Sequence, residues 1–83
     1  MYYAYVLKSF KDGKFYIGYS SDLKKRILSH ISGEVVSTKH RLPVQLIYYE
    51  AYLDKRDAKG REKFLKGGSG HKYLKKQLRY FLK

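Results

Sequence analysis

Tyr5 and Tyr16, with ten residues between them, are followed by Gly18, Arg26 and His30 inside or beside the stretch FYIGYSSDLKKRILSH. A phenol or an imidazole held in place can take up or release a proton. A guanidinium presents a fork of fixed donors that suits a phosphate oxygen. Such groups do chemistry only where the chain brings them together, so the elements that carry them come next.

Residues 2–10 are rich in aromatic and β-branched side chains and run into Lys11-Asp12-Gly13-Lys14, where Asp-Gly predicts a two-residue hairpin turn. Residues 15–19 form the return strand. That turn sets Leu7 opposite Gly18 and Tyr5 opposite Ser20, and places Tyr5 and Tyr16 four residues apart along the ladder, roughly 13 Å. Because side chains alternate between faces, Tyr5, Leu7, Tyr16 and Gly18 share one side. Ala4, Val6, Phe10, Phe15, Ile17 and Tyr19 share the other, which reads as core. Ser21-Asp22 offers a helix cap, and Leu23, Ile27, Leu28 and Ile31 recur at helical spacing until Gly33. Arg26 and His30, one turn apart, form a stripe at the border of that apolar face, about 5–6 Å apart at Cβ.

A polar, basic loop over residues 34–42 leads to Pro43 and a third strand, 44–53. Asp54 caps a second helix, 55–66. Gly67-Gly68-Ser69-Gly70 breaks the chain as a flexible turn before a last helix, 71–82, with Tyr73, Leu74, Leu78, Phe81 and Leu82 facing inward. The order ββαβαα predicts an α/β (α+β) fold: a small three-stranded, antiparallel-rich sheet flanked by helices, as a single domain over residues 1–83.

A chain of 83 residues buries only about 60–65% of its unfolded surface, so the core is thin. There is no cysteine, which removes disulfides and zinc-thiolate sites as supports. Nineteen Lys and Arg against seven Asp and Glu give a net charge of +12. A field of that size is self-repelling unless a polyanion lies against it, which makes nucleic acid the expected partner. A membrane-surface protein would need a basic helix with a broad apolar face to spare, and here the apolar residues are committed to the core. No apolar run reaches the roughly 20 residues that cross a bilayer, and MYYAYVLKS has no leader pattern, so the cytoplasm is the expected compartment.

Tyr5, Tyr16-Ile17-Gly18, Arg26 and His30, at these spacings and on these elements, resemble the GIY-YIG nuclease family. The loop STKHR and the segment REKFLKGGSG are similar to its small stand-alone members. The resemblance implies phosphodiester hydrolysis on a ββαβαα-type fold, with one divalent ion, Mg²⁺ or Mn²⁺, held by a helix glutamate. On the residues alone, either Tyr5 or Tyr16 can serve as general base with the other as phosphate ligand; the resemblance favours Tyr5 as the base, since it stands at the tyrosine of the first motif. A phenol beside a bound cation and several Lys or Arg has its ionised form favoured. Arg26 then meets a phosphate oxygen as charge builds, and His30 orients water, protonates the leaving oxygen or contacts phosphate.

Which acid holds the ion can be narrowed. Asp12 is engaged by the turn, Asp22, Asp54 and Asp57 sit at helix N-termini, and Glu34 lies in a loop. Glu50 and Glu62 remain. Glu62 falls on the inward stripe of its helix with Ala58, Arg61 and Leu65, where a carboxylate needs a partner: a metal ion, Arg61 or a lysine. Magnesium keeps several waters, so one glutamate is enough. Nucleic-acid contacts are expected from Gly18, where the missing side chain leaves a hole, from Lys24, Lys25, Lys66 and Lys72, and from the exposed loop Thr38, Lys39, His40 and Arg41.

The chain departs from the family pattern in reading Tyr3-Ala4-Tyr5 for Gly-Ile-Tyr, and in having no asparagine. Ser69, His71 or backbone near Gly70 is then the substitute for the asparagine that often follows the metal glutamate. The expected function is a metal-dependent endonuclease acting on DNA in preference to RNA. The alternative is a non-catalytic nucleic-acid-binding module. Substrate shape, a homodimer or an accessory protein would supply specificity.

Overall fold

The computed structural model describes residues Met1–Lys83. Strands β1 (Tyr2–Ser9), β2 (Phe15–Ser20) and β3 (Val44–Tyr52) form one antiparallel sheet in the order β2-β1-β3. Helices α1 (Leu23–Ile31), α2 (Lys55–Lys66) and α3 (Gly68–Gln77) complete the order ββαβαα, and the fold is α+β as the sequence predicts.

The sheet is covered on both faces. Ala4 and Val6 of β1 pack with Leu65 of α2 and Leu74 of α3, while Tyr5 and Leu7 pack with Val44, Leu23 and Ile27 on the α1 side. Ala4, Tyr5, Val6 and Leu7 are therefore all buried, where a half-exposed strand would alternate. The expectation of a single core face is corrected: the face carrying Tyr5 is a second core.

The hairpin closes two residues further from its tip than the Asp-Gly signal predicts. Tyr5 pairs with Gly18 and Leu7 with Tyr16. The Ser9 N–H donates to the Lys14 carbonyl at 3.0 Å and the Gly13 N–H to the Ser9 carbonyl at 2.9 Å, leaving Phe10–Gly13 as the loop. Gly13 takes φ +72°, a left-handed conformation that glycine adopts without steric cost. A shift of two preserves the faces. It also halves the expected separation of the tyrosines along the ladder, and it moves Phe10 out of the core to 56% exposure.

The helix caps follow the sequence. The Asp22 carboxylate accepts from the Lys25 N–H at 3.2 Å and that of Asp54 from the Arg56 N–H at 2.8 Å. α3 departs from expectation. It begins at Gly68, and Gly70 within it is pressed against α2, where a Cβ would lie 2.2 Å from the Phe64 carbonyl oxygen. The glycine-rich segment is thus a close helix crossing, with Gly67 alone as connector. α3 also ends at Gln77, and Phe81 is half exposed instead of facing inward.

Glu50 joins β3 to α2. Its carboxylate accepts from Arg61 Nε at 2.8 Å and Nη2 at 3.1 Å, and from the hydroxyls of Tyr48 and Tyr52. The Arg61 guanidinium lies over the rings of Phe64 and Tyr73, with its Cζ 4.9 and 4.6 Å from their centroids. Burial pushes the Glu50 carboxyl up, but the bonds from Arg61, Tyr48 and Tyr52 outweigh it and hold the group below its ordinary range. Burial, and then the carboxylate, push both phenols up. Glu50→Ala leaves a half-buried guanidinium without its anion and should cost about 3 kcal/mol, read as a lower urea midpoint at unchanged slope.

Candidate active site

A cleft of about 590 Å³ spans the edge strand β2, with Tyr5, Tyr16, Arg26 and His30 on one side of it and Glu62, Lys66 and His71 on the other. Gly18 lies between them, and its role differs from the expected opening for substrate. A Cβ at this position would fall 2.3 Å from both Cζ and the hydroxyl of Tyr5. The space is filled by the Tyr5 ring, which crosses the neighbouring strand to reach the cleft.

The hydroxyl of Tyr5 is held from two directions. It lies 2.8 Å from His30 Nε2, and Arg26 donates to it through Nε at 3.4 Å. The helical spacing of Arg26 and His30 is what lets both reach one oxygen. His30 Nδ1 lies 2.8 Å from Thr38 Oγ1. With the imidazole proton on Nδ1, Arg26 donates to Tyr5, Tyr5 to His30 and His30 to Thr38. Tyr5, His30 and Thr38 are 2%, 4% and 1% exposed. Thr38 therefore leaves the exposed loop in which the sequence places it and fixes the His30 ring, whereas Lys39, His40 and Arg41 are exposed as expected. A threonine in a basic loop gives no sequence sign of that role.

Burial first, and the Arg26 charge second, hold His30 below its ordinary 6.5. The folded chain thus resists a proton that the unfolded chain accepts near pH 6.5. Stability should decline as pH falls through about 6.5 and level off once folded His30 itself protonates. Melting temperature against pH, compared with His30→Gln, reads this directly: the decline should be absent in the variant.

Tyr16 belongs to a second group of bonds. Its hydroxyl donates to Asp12 Oδ2 at 2.9 Å and accepts from Arg41 Nε at 3.0 Å, with Arg41 3.3 Å from the same carboxylate. The Lys14 backbone N–H, with Tyr16 and Arg41, keeps Asp12 below the usual carboxylate range. The end of β1 and the hairpin loop also hold the backbone at the end of the basic loop: Ser9 Oγ donates to the Arg41 carbonyl at 2.6 Å and the Phe10 N–H to that of Pro43 at 2.9 Å. Sequence reasoning missed this use of Asp12, because the two-residue turn left no hairpin residue free to touch residues 40–43.

Glu62 faces the cleft with its side chain 22% exposed and pairs with Lys66 at 3.1 Å, one turn along α2. Arg61, the other expected partner, is committed to Glu50. No group of three or more His, Asp or Glu side chains is placed to hold a metal. The donor set is one hard carboxylate whose lysine partner is exposed and flexible. It fits Mg²⁺ or Mn²⁺, which keep waters and accept phosphate oxygens. Of the expected substitutes for asparagine, His71 lines the cleft, Ser69 does not, and Gly70 is buried against α2. Lys25 and Lys72 are exposed. Lys24 borders a separate groove of about 630 Å³ between α1 and β3, lined by Tyr3, Leu28, Leu46 and Tyr49, which none of the catalytic candidates enters.

The model of the GIY-YIG catalytic domain matches residues 1–76, and so takes in every one of these groups. The chain belongs to the GIY-YIG family. At the level of the GIY-YIG family, the activity is that of an endonuclease-type phosphodiester hydrolase with nucleic acid as substrate, and its nucleases are generally dependent on a divalent metal. Among curated relatives, the chain is 44% identical over 75 residues to UPF0213 protein SSP2268 of Staphylococcus saprophyticus, covering 89% of this chain and 90% of the relative. It is 42% identical over 72 residues to a UPF0213 protein of Lacticaseibacillus paracasei, covering 86% and 80%. With UPF0213 protein CPE1444 of Clostridium perfringens the identity is 42% over 67 residues, covering 80% and 71%. No solved structure matches the chain significantly. No helix of this GIY-YIG protein is long and apolar enough to cross a membrane.

Proposed function

We propose that the protein is a single-domain, divalent-metal-dependent endonuclease that cleaves phosphodiester bonds in cytoplasmic nucleic acid, DNA in preference to RNA. The observation that carries this reading is the Tyr5 hydroxyl, held between His30 Nε2 and Arg26 Nε at a cleft that Glu62 enters from the opposite wall. Tyr5 takes a proton from the attacking water while its own proton passes to Nε2 of neutral His30. Arg26, donating to the same oxygen, balances charge as that proton moves and meets a non-bridging phosphate oxygen. Tyr16 and Arg41, already joined through one hydroxyl, bind the phosphate from the side. Glu62 is the residue that would hold one Mg²⁺ or Mn²⁺, and a bound ion supplies positive charge to the phosphate and the leaving oxygen.

A basic exterior of Lys24, Lys25, Lys39, His40 and Lys72 contacts the backbone without reading sequence, so substrate shape, a second copy of the chain or another protein supplies specificity. A non-catalytic binding module is the second reading, favoured by the Glu62–Lys66 pair and by Glu62 being the one carboxylate that lines the cleft. Incubation with labelled DNA and RNA structures, with and without Mg²⁺ or Mn²⁺, separates the two. Cleavage that appears only with metal supports the nuclease. Binding in chelator with no cleavage under any metal supports the module.

A further inference from the structure

Phe15 and His71 line the cleft, and they also line a second hollow of about 390 Å³ beside it, with Gly13, Lys14 and Lys75. The two hollows meet at this pair of rings, whose centroids are 6.1 Å apart with a tilt of 36°. Both residues are only half-buried and border both hollows, Phe15 packing also on the core of Ala4, Val6, Leu65 and Leu74. Lysines stand on either side: Lys59 and Lys66 in the cleft, Lys14 and Lys75 in the hollow. Glu62 is the one carboxylate along this trough.

An aromatic step flanked by cations is the arrangement by which proteins hold single-stranded nucleic acid, with the lysines following the phosphates and a base stacking on a ring. A base inside a duplex has its faces covered by its neighbours and cannot reach such a ring. We infer that Phe15 and His71 form a base-stacking subsite next to the scissile position, and that the substrate is a strand with unpaired nucleotides there: a single strand, or a single-stranded extension or gap in a branched molecule. This rests on the nuclease reading for its link to cleavage. The rings are already in contact, so the base lies against the open surface of the pair and does not slide between them.

The test measures binding in chelator, where no cleavage occurs. A 2-aminopurine base is placed at successive positions of a DNA single strand and its fluorescence is recorded on titration with the protein. Stacking should quench the probe at one or two adjacent positions only, and the single strand should bind at least about tenfold more tightly than a duplex of equal length. His71→Ala and Phe15→Leu should each weaken single-strand binding by about five- to a hundredfold and remove the quenching, while Phe15→Tyr restores both. Thermal melting identifies any variant that has lost its fold, and His71→Ala carries the test where Phe15→Leu unfolds. Uniform quenching, equal affinity for duplex, or folded variants that bind as the parent does would each overturn the subsite. A protein that stacks the probe but never cleaves with any metal refutes the nuclease and leaves the subsite standing. Metal-dependent cleavage without stacking does the reverse.

Discussion

Glu62→Gln should reduce cleavage by roughly a thousandfold or more while leaving nucleic-acid binding in chelator intact or slightly tighter. The substitution keeps the shape of the side chain and removes the charge that would hold the ion. Folding should be little affected, because the partner lost is Lys66, an exposed lysine one turn away on the same helix, and such pairs contribute only about 0.3–0.5 kcal/mol. Binding should persist because the cleft loses its one carboxylate and keeps its cations. Cleavage assays over a range of Mg²⁺ and Mn²⁺ concentrations, beside fluorescence anisotropy with EDTA, measure both effects. If the variant cuts within about threefold of the parent at saturating metal, Glu62 is no more than the ion-pair partner of Lys66, and the metal assignment fails.

The second large effect comes from a residue with no functional group. Gly18→Ala places a methyl 2.3 Å from the Tyr5 ring, and that ring has little freedom because Tyr5 is 2% exposed in the central strand. Either the Tyr5 hydroxyl leaves His30 and Arg26 or β2 moves away from β1. A displacement of about 1 Å at a reacting group costs on the order of a hundredfold in rate. Tyr5→Phe removes the hydroxyl and keeps the ring, and should cost about a hundred- to ten-thousandfold. The two losses have one cause, so the double variant should cleave no more slowly than Tyr5→Phe alone. Losses that multiply instead would show that Gly18→Ala also acts apart from the Tyr5 hydroxyl, by shifting β2 against the ring that Phe keeps or by closing the way to substrate.

Much of this arrangement was legible in the residues. Caps at Asp22 and Asp54 and the 3.6-residue periodicity located α1 and α2, because those signals are local. The shared face of Tyr5, Leu7, Tyr16 and Gly18 survived an error in register because strand faces repeat every two residues. The register itself was not legible: Asp-Gly marks a turn but does not say how many residues precede it in the loop. Nor was the start of α3, since the nearness of Gly70 to Phe64 and Leu65 arises only when the helices pack. The bonds of Thr38 to His30 and of Asp12 to Tyr16 and Arg41 join residues distant in sequence or in differing elements, and no spacing announces them. The chemistry-bearing residues were thus visible, while the groups that aim them emerged from packing.

Tyr5 occupies the middle of the strand that both neighbouring strands embrace, so its amide should be among the last to exchange with deuterium. Fraying of the chain ends cannot bare its ring without dismantling the sheet. Heat or denaturant should therefore expose this ring and dissolve the sheet in a single step.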